Sequence, residues 1–213
     1  MWRLALRMAN LDDSLVARGL LNPVTVVDQA EERLQGMRAE ARAAFAVLCA
    51  QRLMDAHLLL PRSEQLPFTL SWVPVLQEIW ASLSDPNDLS AKADVKGHLN
   101  AYYESPFNHD LGEDGPDDAD DDAAAGSIYA AQAFCSGDVQ SARWAASRLI
   151  DSTVKPVQRA RTGLPRNTLE ELAHPLSQRE ARGLSKALAL LESQPWSPEM
   201  IPKLRASFDQ ETI

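Results

Sequence analysis

Ser136-Gly137-Asp138 separates two runs of small apolar residues that share a helical period. Before it, Ala124, Ile128, Ala131 and Cys135 fall on one helical face. After it, Ala142, Ala145, Ala146 and Leu149 recur at i, i+3, i+4 and i+7. Gly137 suits the position just past a helix end, and Asp138 suits the N-cap of the next helix. Helices joined by so short a turn fold back on each other as an αα-hairpin, and alanine at the facing positions lets their backbones approach closely. The pattern therefore predicts an all-α chain with this hairpin at its centre.

The rest of the chain reads the same way. Asn22-Pro23 supplies an N-cap and a first-turn proline, predicting a helix from Pro23 to Gln35 that stops at Gly36. A longer helix follows in "MRAEARAAFAVLCAQRLMDAHLLL". Its stripe of Ala41, Ala44, Phe45, Leu48, Cys49 and Ala56 is interrupted once, by Arg52, and Pro61 ends it. "PFTLSWVPVLQEIWASL" places Pro74 in a first turn and Leu76, Ile79, Trp80 and Leu83 on one face. "LSAKADVKGHLNAYY" is a shorter amphipathic segment. Beyond Lys155-Pro156 the chain reads as irregular up to Asn167, and two C-terminal helices are predicted, from about Ser177 to Ser193 and from about Pro198 to Gln210.

No alternating run is bounded by hairpin turns, and there is no internal repeat or long linker. The expectation is a single compact domain over residues 1–213, of about six or seven helices, with an irregular N-terminal segment at 1–21 and an acidic loop at 104–122. A chain of 213 residues is long enough to bury a sizeable core. Aromatic residues are only 6%, so alanine and leucine must make most of the packing, with Trp72, Trp80 and Trp144 as core anchors.

Charge is distributed less evenly than hydrophobicity. From Gly97 to Ala142 there are ten carboxylates and no Lys or Arg, whereas the rest of the chain holds 21 basic and 20 acidic residues. One window thus carries the whole net charge of −9. Its densest part, "DLGEDGPDDADDD" (Asp110–Asp122), has eight acidic residues in thirteen. Such a field repels phosphate backbones and attracts cations or basic partners, so direct nucleic-acid binding is not expected there. Asp121 or Asp122 can cap the helix that follows. Glu113, Asp114, Asp117 and Asp118, with Asp120, Asp121 and Asp122, form the candidate partner-binding set.

Catalytic signatures are missing. The run is not an EF-hand, because counting from Asp118 the sixth residue is Ala123 rather than Gly. "DDADD" (Asp117–Asp121) matches the diphosphate-binding pattern of all-α isoprenoid synthases, but it follows Gly115-Pro116 and has no second metal motif. His57, His98, His109 and His174 have no His or Cys at helical spacing, so no metal site is written locally. His57 reads as a structural histidine. Asp55 and Glu78 are carboxylates that only folding could pair. The basic segment "KPVQRARTGLPR" (Lys155–Arg166) reads as a solvated loop or an internal partner for the acids. Cys49 and Cys135 read as buried free thiols of a reducing compartment. The start, "MWRLALRMANLDD", is not a signal peptide, and the longest apolar run, "AAFAVLCA", is too short to span a membrane. A cytoplasmic protein with no cofactor is expected.

Three blocks are similar to domain-of-unknown-function family 416, the bacterial YjaG-like proteins. "AFAVLCAQRL" (Ala44–Leu53) resembles its apolar helix ending in a Glu/Gln-Arg pair. "VLQEIWASL" (Val75–Leu83) resembles its Leu-rich helix with a Trp before the turn. "DDDAAAGSIYAAQAFCSGDVQSARWAASRLIDST" (Asp120–Thr153) resembles its acidic-capped helix, Gly-Asp turn and Ala-rich partner helix. The resemblance implies an all-α fold and no established reaction.

These readings converge on a non-enzymatic interaction protein. Its concrete form is an immunity or antitoxin-type protein whose acidic surface meets a basic partner such as a toxin. The alternatives are a signalling adaptor of the YjaG-like type, a DNA-mimic regulator whose acids imitate phosphates, or a Mg²⁺- or Ca²⁺-dependent helical enzyme holding its ion with Asp117, Asp118, Asp121 and Asp122.

Overall fold

Asn22 begins the first long helix as its local sequence requires. In the computed structural model its side-chain oxygen accepts the Val24 N–H at 3.1 Å, Pro23 opens the helix, and Gly36 closes it. The structure describes residues 11–85, 90–105, 119–159 and 168–208, with backbone alone at 119–121 and 154–159. A helical segment at 11–16 is followed by ten α-helices: α1 (Pro23–Gln35), α2 (Ala39–Leu58), α3 (Pro67–Leu70), α4 (Trp72–Ser84), α5 (Ser90–Tyr103), α6 (Ala119–Ser136), α7 (Val139–Arg159), α8 (Leu169–Leu172), α9 (Pro175–Ser193) and α10 (Ile201–Ala206). Among the described residues there is no strand, so the all-α expectation holds.

The count exceeds six or seven because α3, α8 and α10 are pieces of one or two turns. Their hydrophobic pattern is too short to register a period. The segment expected to be irregular at 1–21 is helical from 11 to 16, where Leu15 is fully buried. Helix α6 begins at Ala119, inside the stretch expected to be loop to 122, and 106–118 lie outside the described residues. Helix α7 does not stop at Pro156 but runs to Arg159.

The helix at the centre is α2. Every residue from Ala43 to Ala50 is buried, so the predicted stripe is a fully covered cylinder, while Ala56, placed on the stripe, is exposed. The sequence "AAFAVLCA" offers no polar face to leave outside. Helix α2 packs most extensively against α6, and α7 lies against both. The approach of α2 to α6 is close: a Cβ at Gly126 would come within 2.6 Å of the Leu53 Cδ1 and 3.6 Å of the Ala50 backbone. Helices α6 and α7 contact each other on either side of Gly137, whose φ of +69° is left-handed. Around this core, α1 packs on α7 and α9, and α4 on α2, α5 and α6.

Single side chains tie these layers at their ends. Arg42 of α2 donates to the carbonyls of Leu34 at 3.0 Å and Gln35 at 2.6 Å, which end α1, and to Gly137 at 2.9 Å. It thereby supplies further donors to carbonyls at helix ends, where the Leu34 carbonyl also accepts the Met37 N–H at 3.0 Å. Gln178, buried on α9, exchanges hydrogen bonds with the Leu21 N–H and carbonyl and donates to the Leu172 carbonyl. Trp72 and Trp80 are core residues as expected. Trp144 is not: it is 41% exposed, its ring 5.3 Å from that of Tyr129.

Candidate functional site

Helix α6 carries the end of the acidic run, and its geometry divides the predicted set. Glu113, Asp114, Asp117 and Asp118 lie outside the described residues. Asp120 and Asp121 are in the first turn of α6. Asp122 is 1% exposed, with Oδ1 3.6 Å from the Arg148 guanidinium of α7. It is therefore an internal charge between α6 and α7 and not part of a surface patch. Because the helix starts at Ala119, Asp121 and Asp122 lie inside its first turn and not at a cap position.

The other chemistry-bearing side chains are dispersed. His57 is fully buried on α2, as a structural histidine should be. His98 is exposed, its ring 6.4 Å from that of Trp72. His174 caps α9, its Nδ1 accepting the Leu176 N–H. His109 and the whole basic segment 155–166 fall outside the described side chains. Among the described residues no three His, Cys, Asp or Glu side chains gather as metal ligands. Burial, and then the Glu180 charge, push the Cys49 thiol far up, so it is inert. Cys135 is only half-buried, contrary to expectation, and burial raises its thiol as well.

Asp55 and Glu78 border different hollows. Glu78 borders a shallow hollow with Asp94 and His98. Asp55 borders a cleft of about 470 Å³ between α2, α4 and α10. That volume falls in the range of small-molecule sites. Leu48 and Leu76 form its floor, Leu58 and Val73 a wall, and Gln51, Arg52, Gln77 and Arg205 its polar groups.

The cleft is built outward from a buried carboxylate. Glu180 of α9 accepts from Arg52 Nη2 at 2.7 Å and Nε at 3.3 Å, and from Arg179 Nε at 2.9 Å. Arg52 also lies over the Phe208 ring, 5.1 Å from its centroid. On the outer side, Arg205 stacks over Trp80 at 4.6 Å. Asp55 accepts a 2.7 Å hydrogen bond from Gln51 one turn earlier. Among the described residues no Ser, Thr, Cys or His lines the cleft. Sequence reasoning did not single out Arg205 or Gln77. The one visible signal was Arg52, which interrupts an otherwise apolar stripe.

The fold and these sites define an all-helical protein with a small polar-rimmed cleft and a separate acid-rich window. No helix of the described residues is long and apolar enough to cross a membrane. The chain matches none of the protein-family models, curated proteins or solved structures compared with it.

Proposed function

We propose that the protein is a non-enzymatic interaction module that engages a basic protein partner through its acid-rich window, in the manner of an immunity or antitoxin-type protein. One observation carries this reading: residues 97–142 hold ten carboxylates without a single Lys or Arg, in a chain whose remainder is nearly neutral. Helix capping accounts for one or two of them. Asp122 is turned inward to Arg148, so the binding set reduces to Glu113, Asp114, Asp117 and Asp118, extended by Asp120 and Asp121. A concentrated negative field of this kind raises association rates with a positive surface and disfavours nucleic acid. A cytoplasmic site of action fits such a role, and so does an adaptor of the YjaG-like type.

The test is kinetic. Replacing Glu113, Asp114, Asp117 and Asp118 with Gln or Asn should slow association with a basic partner captured from the native host about tenfold at low salt, and much less at high salt. Unchanged association at both salt concentrations would overturn the reading. A melting temperature that rises with millimolar Mg²⁺ or Ca²⁺ in the wild type, but not in this variant, would replace it with a metal-binding role.

A further inference from the structure

Arg205 stands apart from the other described arginines around the cleft. Arg52 and Arg179 share the Glu180 carboxylate, whereas Arg205 has no carboxylate within reach among the described residues. Its interaction is with the face of Trp80. Stacking uses the guanidinium face and leaves its in-plane N–H donors free to fork onto two oxygens. Gln77, exposed on α4 beside it, adds an amide donor that makes no side-chain hydrogen bond among the described residues. Below them the surface becomes apolar: Leu58 is 43% exposed and Val73 half-buried on the cleft wall, above Leu48 and Leu76. A cation stacked on an aromatic ring, with no carboxylate partner among the described residues, at the rim over an apolar wall is an arrangement that suits an amphiphilic anion.

Asp55 narrows the class. Its carboxylate sits on the same rim, and its one described hydrogen bond, from Gln51, is neutral. A dianion such as a phosphate monoester bound in the cleft would be repelled by that charge more than a singly charged carboxylate, which also matches the planar fork of a guanidinium. The geometry points to a binding site for a small monocarboxylate with a short apolar chain or ring. The carboxylate would be held by Arg205 and Gln77, and the apolar part would lie against Leu58 and Val73. The site is independent of the acid-rich window, and its failure would leave the proposed partner-binding role untouched.

Hexanoate is the probe, with hexanol and hexyl phosphate as controls, titrated into the full-length protein by calorimetry. Hexanoate should bind with a dissociation constant of about 0.1–1 mM, and both controls about tenfold more weakly. Arg205→Gln should weaken hexanoate about tenfold or more, whereas Asp55→Asn should tighten it and narrow the gap to hexyl phosphate. The Gln77 side-chain amide and the Arg205 Nε–H should shift in nuclear magnetic resonance spectra on titration, a readout that survives if Arg205→Gln folds poorly. Equal affinity for hexanol and hexanoate would overturn the proposal, as would no binding up to about 10 mM. An unchanged affinity in a folded Arg205→Gln, or shifts confined to other residues, would do the same.

Discussion

Asp138 shows how much one residue can settle. Its carboxylate accepts the Ser141 N–H at 2.8 Å and the Ser141 hydroxyl at 2.7 Å, which starts α7 with only two residues between it and α6. Partial burial, the largest single influence, pushes its pKa up. The bonds from Ser141, the amides of Ser141 and Gln140 and the Arg42 charge together outweigh it, so the carboxyl lies below its ordinary value. A depressed folded-state pKa means that the stability gained is present above the unfolded value, near ~3.9, and is lost as pH falls through the folded one. Asp138→Ala should cost about 0.5–2 kcal/mol at neutral pH and distinctly less near pH 3. Asp138→Asn, which keeps an acceptor, should cost less at neutral pH and flatten that dependence. Chemical denaturation at the two pH values checks both. An Ala variant equally destabilised at each pH would mean that the charge contributes nothing beyond the cap.

Helices were legible where their signals are local. Asn22-Pro23 and Gly36 bound α1 because a cap and a first-turn proline act within four residues. The Gly137-Asp138 turn was legible for the same reason. Thr168 and Glu171 were an equally local signal that the reading passed over: Thr168 N–H donates to Glu171 Oε2 at 2.8 Å, and Glu171 N–H to Thr168 Oγ1 at 3.3 Å, closing a capping box on α8. What could not be read was which helix lies at the centre, since "AAFAVLCA" has no polar side to orient it. The inward turn of Asp122 was hidden too, because a run of acids carries no periodic mark. At this scale the alanine face of α7 makes the sharpest prediction. Ala142 and Ala145 are fully buried. Leucine at either position should therefore overpack the contact of α7 with α2 and α6 and cost about 1–3 kcal/mol. Thermal melting decides it. Wild-type transitions in both variants would require a face open enough to accept three more heavy atoms, which their burial contradicts.

At the scale of the whole molecule, elements far apart in sequence meet on Glu180. Arg52 stands 128 residues before it, and no local pattern joins them. The carboxylate holds α2 to α9, and Arg52 in turn lies over Phe208, so the chain beyond α10 is fastened to the same point. A second long-range pair, Arg33–Glu192, joins α1 to α9 with equally short contacts of 2.7 and 2.6 Å, but on the surface. The two pairs look alike in geometry and differ in burial: the Glu180 side chain is 3% exposed and that of Glu192 is 41%. An exposed pair contributes about 0–1 kcal/mol, because water and salt screen it. Removing one charge from a buried pair commonly costs about 3–5 kcal/mol. Arg52 and Arg179 are 24% and 39% exposed, so both can regain water when their partner is lost. Glu180→Gln should therefore cost less than that full penalty, about 1–3 kcal/mol, with little change on adding salt. Glu192→Gln should cost under about 1 kcal/mol and less still at high salt. Urea denaturation of the two variants at low and high salt tests the contrast. Equal losses, or a Glu180 effect that salt removes, would show that the buried cluster is solvated and is not the point that fixes α2, α9 and the C-terminal residues to one another.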